Sequence, residues 1–129
     1  MIHYHGGPCT PQTAARRVYT GGHAFISISS PQDLGLALEV CQSLAVDNGA
    51  FPAWSSGKPI KDWKHFYEWV AELHRYPPFD FAVIPDVIDG GEAENDALLA
   101  EWPWQEPKNK WVGAPVWHMH EPLERLLRP

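Results

Sequence analysis

Apolar positions along the chain follow two spacings, one typical of strands and one typical of helices. The run 24–29 is short, apolar and rich in isoleucine, as in a buried strand. The segment 62–75 instead repeats apolar side chains on one helical face, at Phe66, Trp69, Val70 and Leu73. The same criteria predict strands at 2–5, 24–29, 43–46, 79–84 and 112–117, and helices at 10–19, 33–40, 62–75, 92–101 and 121–127. This alternation predicts a single α/β domain over residues 1–129, built on a parallel sheet.

Proline, glycine and serine mark the boundaries of these predicted elements. Thr10-Pro11 and Ser30-Pro31 each place a capping hydroxyl before a proline, as at the first turn of a helix. The segment 48–60 is rich in serine, glycine and proline, and we predict it to be a loop.

Charge and composition narrow the class of protein. The 129 residues include 16 acidic side chains against 10 Lys plus Arg, for a formal net charge of −6. No basic block occurs, which disfavours non-specific binding of nucleic acid through charge. No stretch approaches the ~18 apolar residues of a membrane span, and no signal peptide is recognisable. We therefore expect a cytoplasmic protein with no membrane partner, in which Cys9 and Cys41 are reduced.

Sequence motifs for nucleotide cofactors are absent. No GxGxxG follows a strand, and no GxxxxGK[ST] phosphate loop occurs. The sequence also contains no GxSxG nucleophile elbow. These absences predict a site that uses no cofactor.

Polar side chains follow every predicted strand at its carboxyl end. Ligands of parallel α/β sheets bind at that edge, so we expect a functional site there. Serine, aspartate and asparagine are also common in turns, but turn propensity explains the histidines less well. In strand order the residues are His3 and His5; Ser27, Ser29 and Ser30; Asp47 and Asn48; Asp86; and His118 and His120.

The two aspartates are the candidate catalytic groups. A carboxylate at a strand end can accept a substrate N–H or act as a general base. Asp47 can equally form an Asx turn with the backbone two residues on, and Asp86 can be an ordinary loop carboxylate. Two carboxylates at neighbouring strand ends can also share one substrate.

The histidines form two HxH pairs, His3 with His5 and His118 with His120. Alternation along a strand places both members of a pair on one face, as two metal ligands require. A metal-dependent hydrolase is therefore one alternative function, with an aspartate as base. The other interpretation of these pairs is that neutral imidazoles provide hydrogen bonds within a pocket, with no metal.

Seven tryptophans are unusual for a chain of this length. Trp63 and Trp69 match the apolar face of a helix and are predicted to be core. Trp54 lies in the predicted loop, where it can stack on a base or sugar or pin the loop to the domain. Trp102 and Trp104 flank a proline and are predicted to be exposed, which suggests a second alternative, a non-catalytic interaction module.

The segment Asp47-Asn-Gly-Ala-Phe51 resembles the Asp-Ser-Gly-(Gly/Ala)-Phe motif of the tRNA-guanine transglycosylase superfamily. That superfamily includes phage and bacterial relatives that act on DNA carrying 7-deazaguanine bases. The segment 81–86 resembles the family strand that ends in a base-recognising aspartate. The segment 112–118 resembles a further base-contacting strand, with histidine where the family more often has glutamine. The opening 3–7 is similar to that of small phage-type members.

The resemblance implies base exchange at a glycosidic bond, with a nucleobase or nucleic acid as substrate. Asp47 would contact the base or assist proton transfer, and Asp86 would bind the base's N–H edge. The substrate-binding residues that we predict at the same edge are His5, Ser29, Asn48, Gly49, Phe51, Trp54, His118 and His120.

The resemblance also implies a (β/α)8 barrel, which typically takes ~250 residues. The family's nucleophilic aspartate and its Cys/His zinc site belong to the second half of that barrel. We therefore expect a half-barrel that is completed by a second copy or another chain. A flavodoxin-like doubly wound sheet of five strands is the alternative fold.

Overall fold

The computed structural model describes residues 1–105 and 112–128. Its elements follow the chain in the order β1 Tyr4–Gly6, α1 Gln12–Tyr19, β2 His23–Ser27, α2 Leu34–Val40, β3 Ser43–Asp47, α3 Ala50–Ser55, α4 Lys64–Leu73, β4 Phe79–Val83, α5 Glu92–Glu101, β5 Gly113–Ala114 and α6 Leu123–Leu126. The predicted α/β class is confirmed, with alternating strands and helices around a wholly parallel sheet. None of the helices in the described ranges is long and apolar enough to cross a membrane.

Two predicted elements differ from the structure. The predicted loop 48–60 is wrong over part of its length, because Ala50–Ser55 is helical. The predicted strand 112–117 is reduced to Gly113–Ala114. Pro115 follows this short strand and has no N–H to donate to a sheet ladder.

The five strands lie in the order β1-β2-β3-β4-β5. Five parallel strands in alternating βα units are shared with the flavodoxin-like alternative, although the flavodoxin order is 2-1-3-4-5. A sequential order with right-handed crossovers places successive helices on one face of the sheet. A closed barrel is not shown, since β1 and β5 each pair on one side only within the described residues.

One face of the sheet packs against the helices and forms the core. Alternate strand residues on this face are almost completely buried, and they pack with residues of α1, α2 and α4. The strand residues are Ala24, Ile26, Leu44, Val46, Ala82 and Ile84, and the helical ones are Ala15, Tyr19, Ala37, Phe66, Val70 and Leu73. Trp63 joins this core and Trp69 packs against it, as predicted.

The opposite face is concave, and apart from the fully buried Ala45 of β3 its residues are partly buried. Its residues include Tyr4, Phe25 and Phe81, which alternate along the strands with the core positions. The ring centroids of Tyr4 on β1 and Phe81 on β4 lie 5.6 Å apart, and the Tyr4 hydroxyl donates to Asp80. Strands three positions apart in a flat sheet are about 14 Å apart. The sheet therefore curves so that these side chains converge.

Candidate functional site

The carboxyl edge of β2 and β3 brings Ser27 and Asp47 together on the concave face. The two residues are direct register partners, and the backbone continues the ladder with Ile28 N donating to Asp47 O at 3.2 Å. The Ser27 hydroxyl lies 2.7 Å from that of Ser29. Ser29 was predicted as a site residue and Ser27, noted only as a strand-end residue, was not. Strand alternation could have singled out Ser27, because it shares the parity of Tyr4 and Phe25.

Asp47 forms the Asx turn that was one of its two interpretations. Its Oδ2 accepts the Gly49 amide at 3.1 Å. That is the sole hydrogen bond to this carboxylate among residues 1–105 and 112–128, and the residue stays partly exposed. The turn therefore occupies one oxygen and leaves the other able to accept a ligand donor.

Gly49 is required by the backbone beside this turn. Its φ of +76° lies in the left-handed region that favours glycine. A Cβ added there would lie 3.2 Å from Ile28 Cγ2 and 3.5 Å from the Ser29 Cβ. The predicted substrate contact at Gly49 therefore has a structural role in bringing the tail of β2 close to the start of α3.

Helix α3 presents two aromatic side chains directly after Asp47. Phe51 is 60% exposed and Trp54 is 38% exposed, and their ring centroids lie 5.8 Å apart. Neither side chain belongs to the core or packs against it among the described residues. This exposure suits the stacking interpretation of Trp54 better than the pinning interpretation.

Asn48 faces the other way, into the protein. It is 2% exposed, and its side-chain amide donates to Ile84 O at 2.9 Å and to Asp86 Oδ1 at 2.8 Å. Its carbonyl oxygen accepts the Ala50 amide at 2.8 Å. These bonds use both amide protons of Asn48 inside the protein and tie β3, β4 and α3 together.

Asp86 also lies inside, at 8% exposure. Its Oδ2 accepts a hydrogen bond from His118 Nε2 at 2.8 Å, while Asn48 occupies its Oδ1. The structure therefore brings three predicted site residues into one contiguous group, whose present partners are one another. A carboxylate has about four acceptor positions, so two remain on Asp86. A further donor must approach between the bonds to Asn48 and His118, or His118 must shift.

Glu121 is a buried member of this group that sequence analysis missed. Its Oε2 accepts the His118 amide at 2.7 Å and lies 3.4 Å from His118 Nδ1. Burial alone would raise the pKa of Glu121, but the His118 amide and the Arg125 guanidinium outweigh burial and lower this pKa from its ordinary value. The spacing His118-x-x-Glu121 is the only sequence signal that could have indicated the pair.

Arg125 and Asp96 extend the same group to α5. Arg125 Nη2 lies 2.6 Å from Asp96 Oδ1, and its Nε lies 3.6 Å from Glu121 Oε1. A second arginine on the same segment, Arg128, forms a more exposed ion pair with Glu92 at 2.8 Å.

Asn95 is another buried residue that sequence analysis missed. Its side-chain oxygen accepts the Val87 amide at 2.8 Å, which fixes the loop after Asp86.

The two HxH pairs remain separate. His3 and His5 lie at the β1 edge with ring centroids 4.4 Å apart, and His5 shares the strand parity of core residue Ala24. His118 and His120 stack at 5.5 Å, and His120 Nε2 lies 3.2 Å from Gly90 O. Within the described ranges, no group of three or more metal-ligating side chains is placed to hold an ion. His5 thus lies away from Asp47, and His120 lies beside the Asp86 group.

The predicted exposure of Trp102 and Trp104 is wrong. Trp102 is 3% exposed and belongs to the core, and Trp104 packs against that core. The ring centroids of the two indoles lie 5.0 Å apart. Both line a cavity of about 530 Å³ between α5, β5 and α6. Trp111 lies outside the described residues.

Comparison of the chain with protein-family models, with curated proteins and with solved structures found no match in any of the three.

Proposed function

We propose that the carboxyl edge of the concave face binds a nucleobase, and that the chain is a nucleobase-handling protein of the tRNA-guanine transglycosylase type. The observation that carries the proposal is the juxtaposition at the end of β3. There a partly exposed carboxylate, Asp47, ends the strand, and the helix that follows, α3, carries two exposed aromatic rings, Phe51 and Trp54.

The chemistry of that juxtaposition suits a flat heterocycle with N–H donors. A free carboxylate oxygen accepts N–H groups, and an ionised acceptor makes hydrogen bonds about twice as strong as neutral ones. Exposed aromatic rings provide faces on which a base stacks, a contribution of about 1–3 kcal/mol per base. The Ser27 and Ser29 hydroxyls beside Asp47 add groups that can donate or accept.

The reaction proposed for the complete site is exchange of a base at a glycosidic bond. In this scheme Asp47 contacts the base or moves its proton, and Asp86 accepts the N–H edge of the base between its own bonds to Asn48 and His118. The attacking carboxylate would come from the segment or subunit that completes the barrel. A second copy of this chain, or another chain, is the proposed partner.

Three features of the sheet support a half-barrel. The strand order is sequential, the helices pack against one face, and the other face curves until β1 and β4 side chains meet. In a barrel, such a concave face becomes the interior, filled by side chains from all the strands.

Calorimetric titration with 7-deazaguanine and with guanosine tests the proposal. Asp47→Asn keeps an oxygen for the Asx turn and removes the charge, so we expect binding to weaken about tenfold, or about 1.4 kcal/mol, with the fold intact. Glu68→Gln is the matched control, because it removes one charge from an exposed position of α4. Equal affinity in the wild type and Asp47→Asn would refute a base site at Asp47.

Neither alternative function gains a specific observation. The two HxH pairs do not converge in the described part of the chain. The exposed tryptophan surface that suggested an interaction module is buried instead.

A further inference from the structure

We infer that Arg125 is a positioning residue for the proposed base site, and that it acts by holding His118 against Asp86. The inference rests on the proposed function for its consequence in binding. Its structural part, the placement of His118, can be tested without any ligand.

His118 lies on a segment with little apolar attachment to the domain. No apolar residue of α6 is buried, and Leu123, Leu126 and Leu127 are at least half exposed. Apolar burial is the main source of attachment for most helices, so this segment must be held by other contacts.

Polar contacts supply that attachment, and Arg125 is at their centre. Its side chain is 6% exposed, although arginine is almost never buried without partners. It pairs with Asp96 on α5 at 2.6 Å and faces Glu121 at 3.6 Å. Arg125 thus joins the segment that carries Glu121 to helix α5.

Glu121 transmits this placement to His118. One of its oxygens accepts the His118 amide, and the other faces Arg125 Nε. Glu121 Oε1 and Arg125 Nε are both buried and have no hydrogen-bond partner in the described structure. Their opposite charges therefore balance each other, and without Arg125 the carboxylate of Glu121 would be buried with only the His118 contacts.

The chain offers a matched control in Arg128. It is on the same segment, pairs with Glu92 and lies 3.5 Å from Asp96, but its side chain is 55% exposed. Among the described residues its ion pairs are with Asp96 and Glu92, and it does not pair with Glu121. Exposed pairs of this kind contribute little, so removing Arg128 takes away a similar charge without disturbing His118.

The test combines NMR of His118 with ligand titration in Arg125→Gln, Arg125→Lys and Arg128→Gln. In the wild type, we expect the His118 Nε2 proton, bonded to Asp86 at 2.8 Å, to give a protected signal. We expect Arg125→Gln to lose that protection and to bind 7-deazaguanine about tenfold more weakly. Losses of this size follow when a residue that orients a metal-binding side chain is removed. Arg125→Lys should rescue only in part, because an ammonium cannot span both acids as a guanidinium fork does. Arg128→Gln should match the wild type.

The outcomes separate this inference from the proposed function. An unchanged His118 signal in folded Arg125→Gln, or an equal loss in Arg128→Gln, would overturn the role of Arg125. Loss of the signal only in Arg125→Gln, with no ligand bound even by the wild type, would refute the proposed function and support the positioning role. If Arg125→Gln does not fold, Glu121→Ala replaces it, because it removes the acceptor of the His118 amide, and a protected His118 signal in that variant would contradict the inference.

Discussion

Asp47 and Asp86 both follow parallel strands at the same edge of one sheet, yet their carboxylates lie in opposite surroundings. Asp47 is partly exposed, makes one hydrogen bond to its own turn and precedes a helix that carries exposed aromatic rings. Asp86 is buried and has each oxygen bonded within the protein, to Asn48 and to His118. The difference suggests that Asp47 has an oxygen available to a ligand. Asp86 mainly holds Asn48 and His118 in place.

The largest expected effect on stability is at Asp86. Asp86→Ala leaves the Asn48 amide and His118 without their acceptor inside the protein. We expect the free energy of unfolding to fall by about 3–5 kcal/mol, as when one partner of a buried pair is removed. Asp47→Ala should lower it by only about 1 kcal/mol, the value of one hydrogen bond. Urea denaturation of both variants checks the contrast, and similar losses would remove the distinction between the two sites.

Gly49 tests whether the Asp47 turn depends on close packing. Gly49→Ala and Gly57→Ala both place a side chain at positive φ, +76° and +80°, at a cost of about 1–2 kcal/mol each. An added Cβ at Gly49 also meets Ile28 at 3.2 Å, whereas nothing lies within 4 Å at Gly57. Thermal and urea unfolding should therefore show Gly49→Ala to be less stable by a further ~1 kcal/mol. Equal destabilisation of the two variants would mean that Ile28, which follows β2, moves away from the added Cβ at no cost in free energy.

Acid should weaken the Asp86 region through Glu121. The pKa of Glu121 is lower in the folded protein than its ordinary value. This carboxylate therefore stabilises the fold at pH values above its ordinary pKa. That contribution is lost as the pH falls through the lowered pKa. We therefore measure the free energy of unfolding from pH 6 downward over about three pH units. It should depend less on pH in Glu121→Gln than in the wild type. Parallel curves for the two proteins would contradict this assignment.

The smallest expected effect on stability is at Phe51. Since its ring is 60% exposed and outside the core, Phe51→Ala should change the free energy of unfolding by no more than about 0.5 kcal/mol. The same variant should weaken binding of 7-deazaguanine, because it removes a stacking surface. Denaturation and titration on one sample measure both quantities. A large loss of stability would show that Phe51 packs against the domain and does not serve a ligand.

The α/β class and most boundaries could be predicted because they depend on local spacing. The helix Glu92–Glu101 was predicted to the residue, and β4 to within one. Helix α3 was missed because Pro52 and the neighbouring serine and glycine residues indicate a loop locally. It begins directly after two local bonds in which the Asp47 and Asn48 side chains accept the Gly49 and Ala50 amides.

The candidate site was predictable only as a set of strand ends. Sequence position placed Asp47 and Asp86 at one edge, but the surroundings of Asp86 depend on Asn48 and His118, which lie 38 and 32 residues from it in sequence. Glu121 and Arg125 follow the last strand in a segment with no recognisable motif. The burial of Trp102 could not be read from its proline-flanked context either, because it results from packing against Gly113, whose added Cβ would lie 2.6 Å from Trp102 Nε1.

Backbone NMR during titration with 7-deazaguanine tests the central claim, that the nucleobase binds at the Asp47 edge of the concave face. The account predicts that the largest amide shifts fall at Ser27, Ser29 and residues 47–54, and that Asp47→Asn needs about tenfold more ligand to produce them. Shifts confined to the cavity beside Trp117, or none at all at saturating ligand, would contradict it.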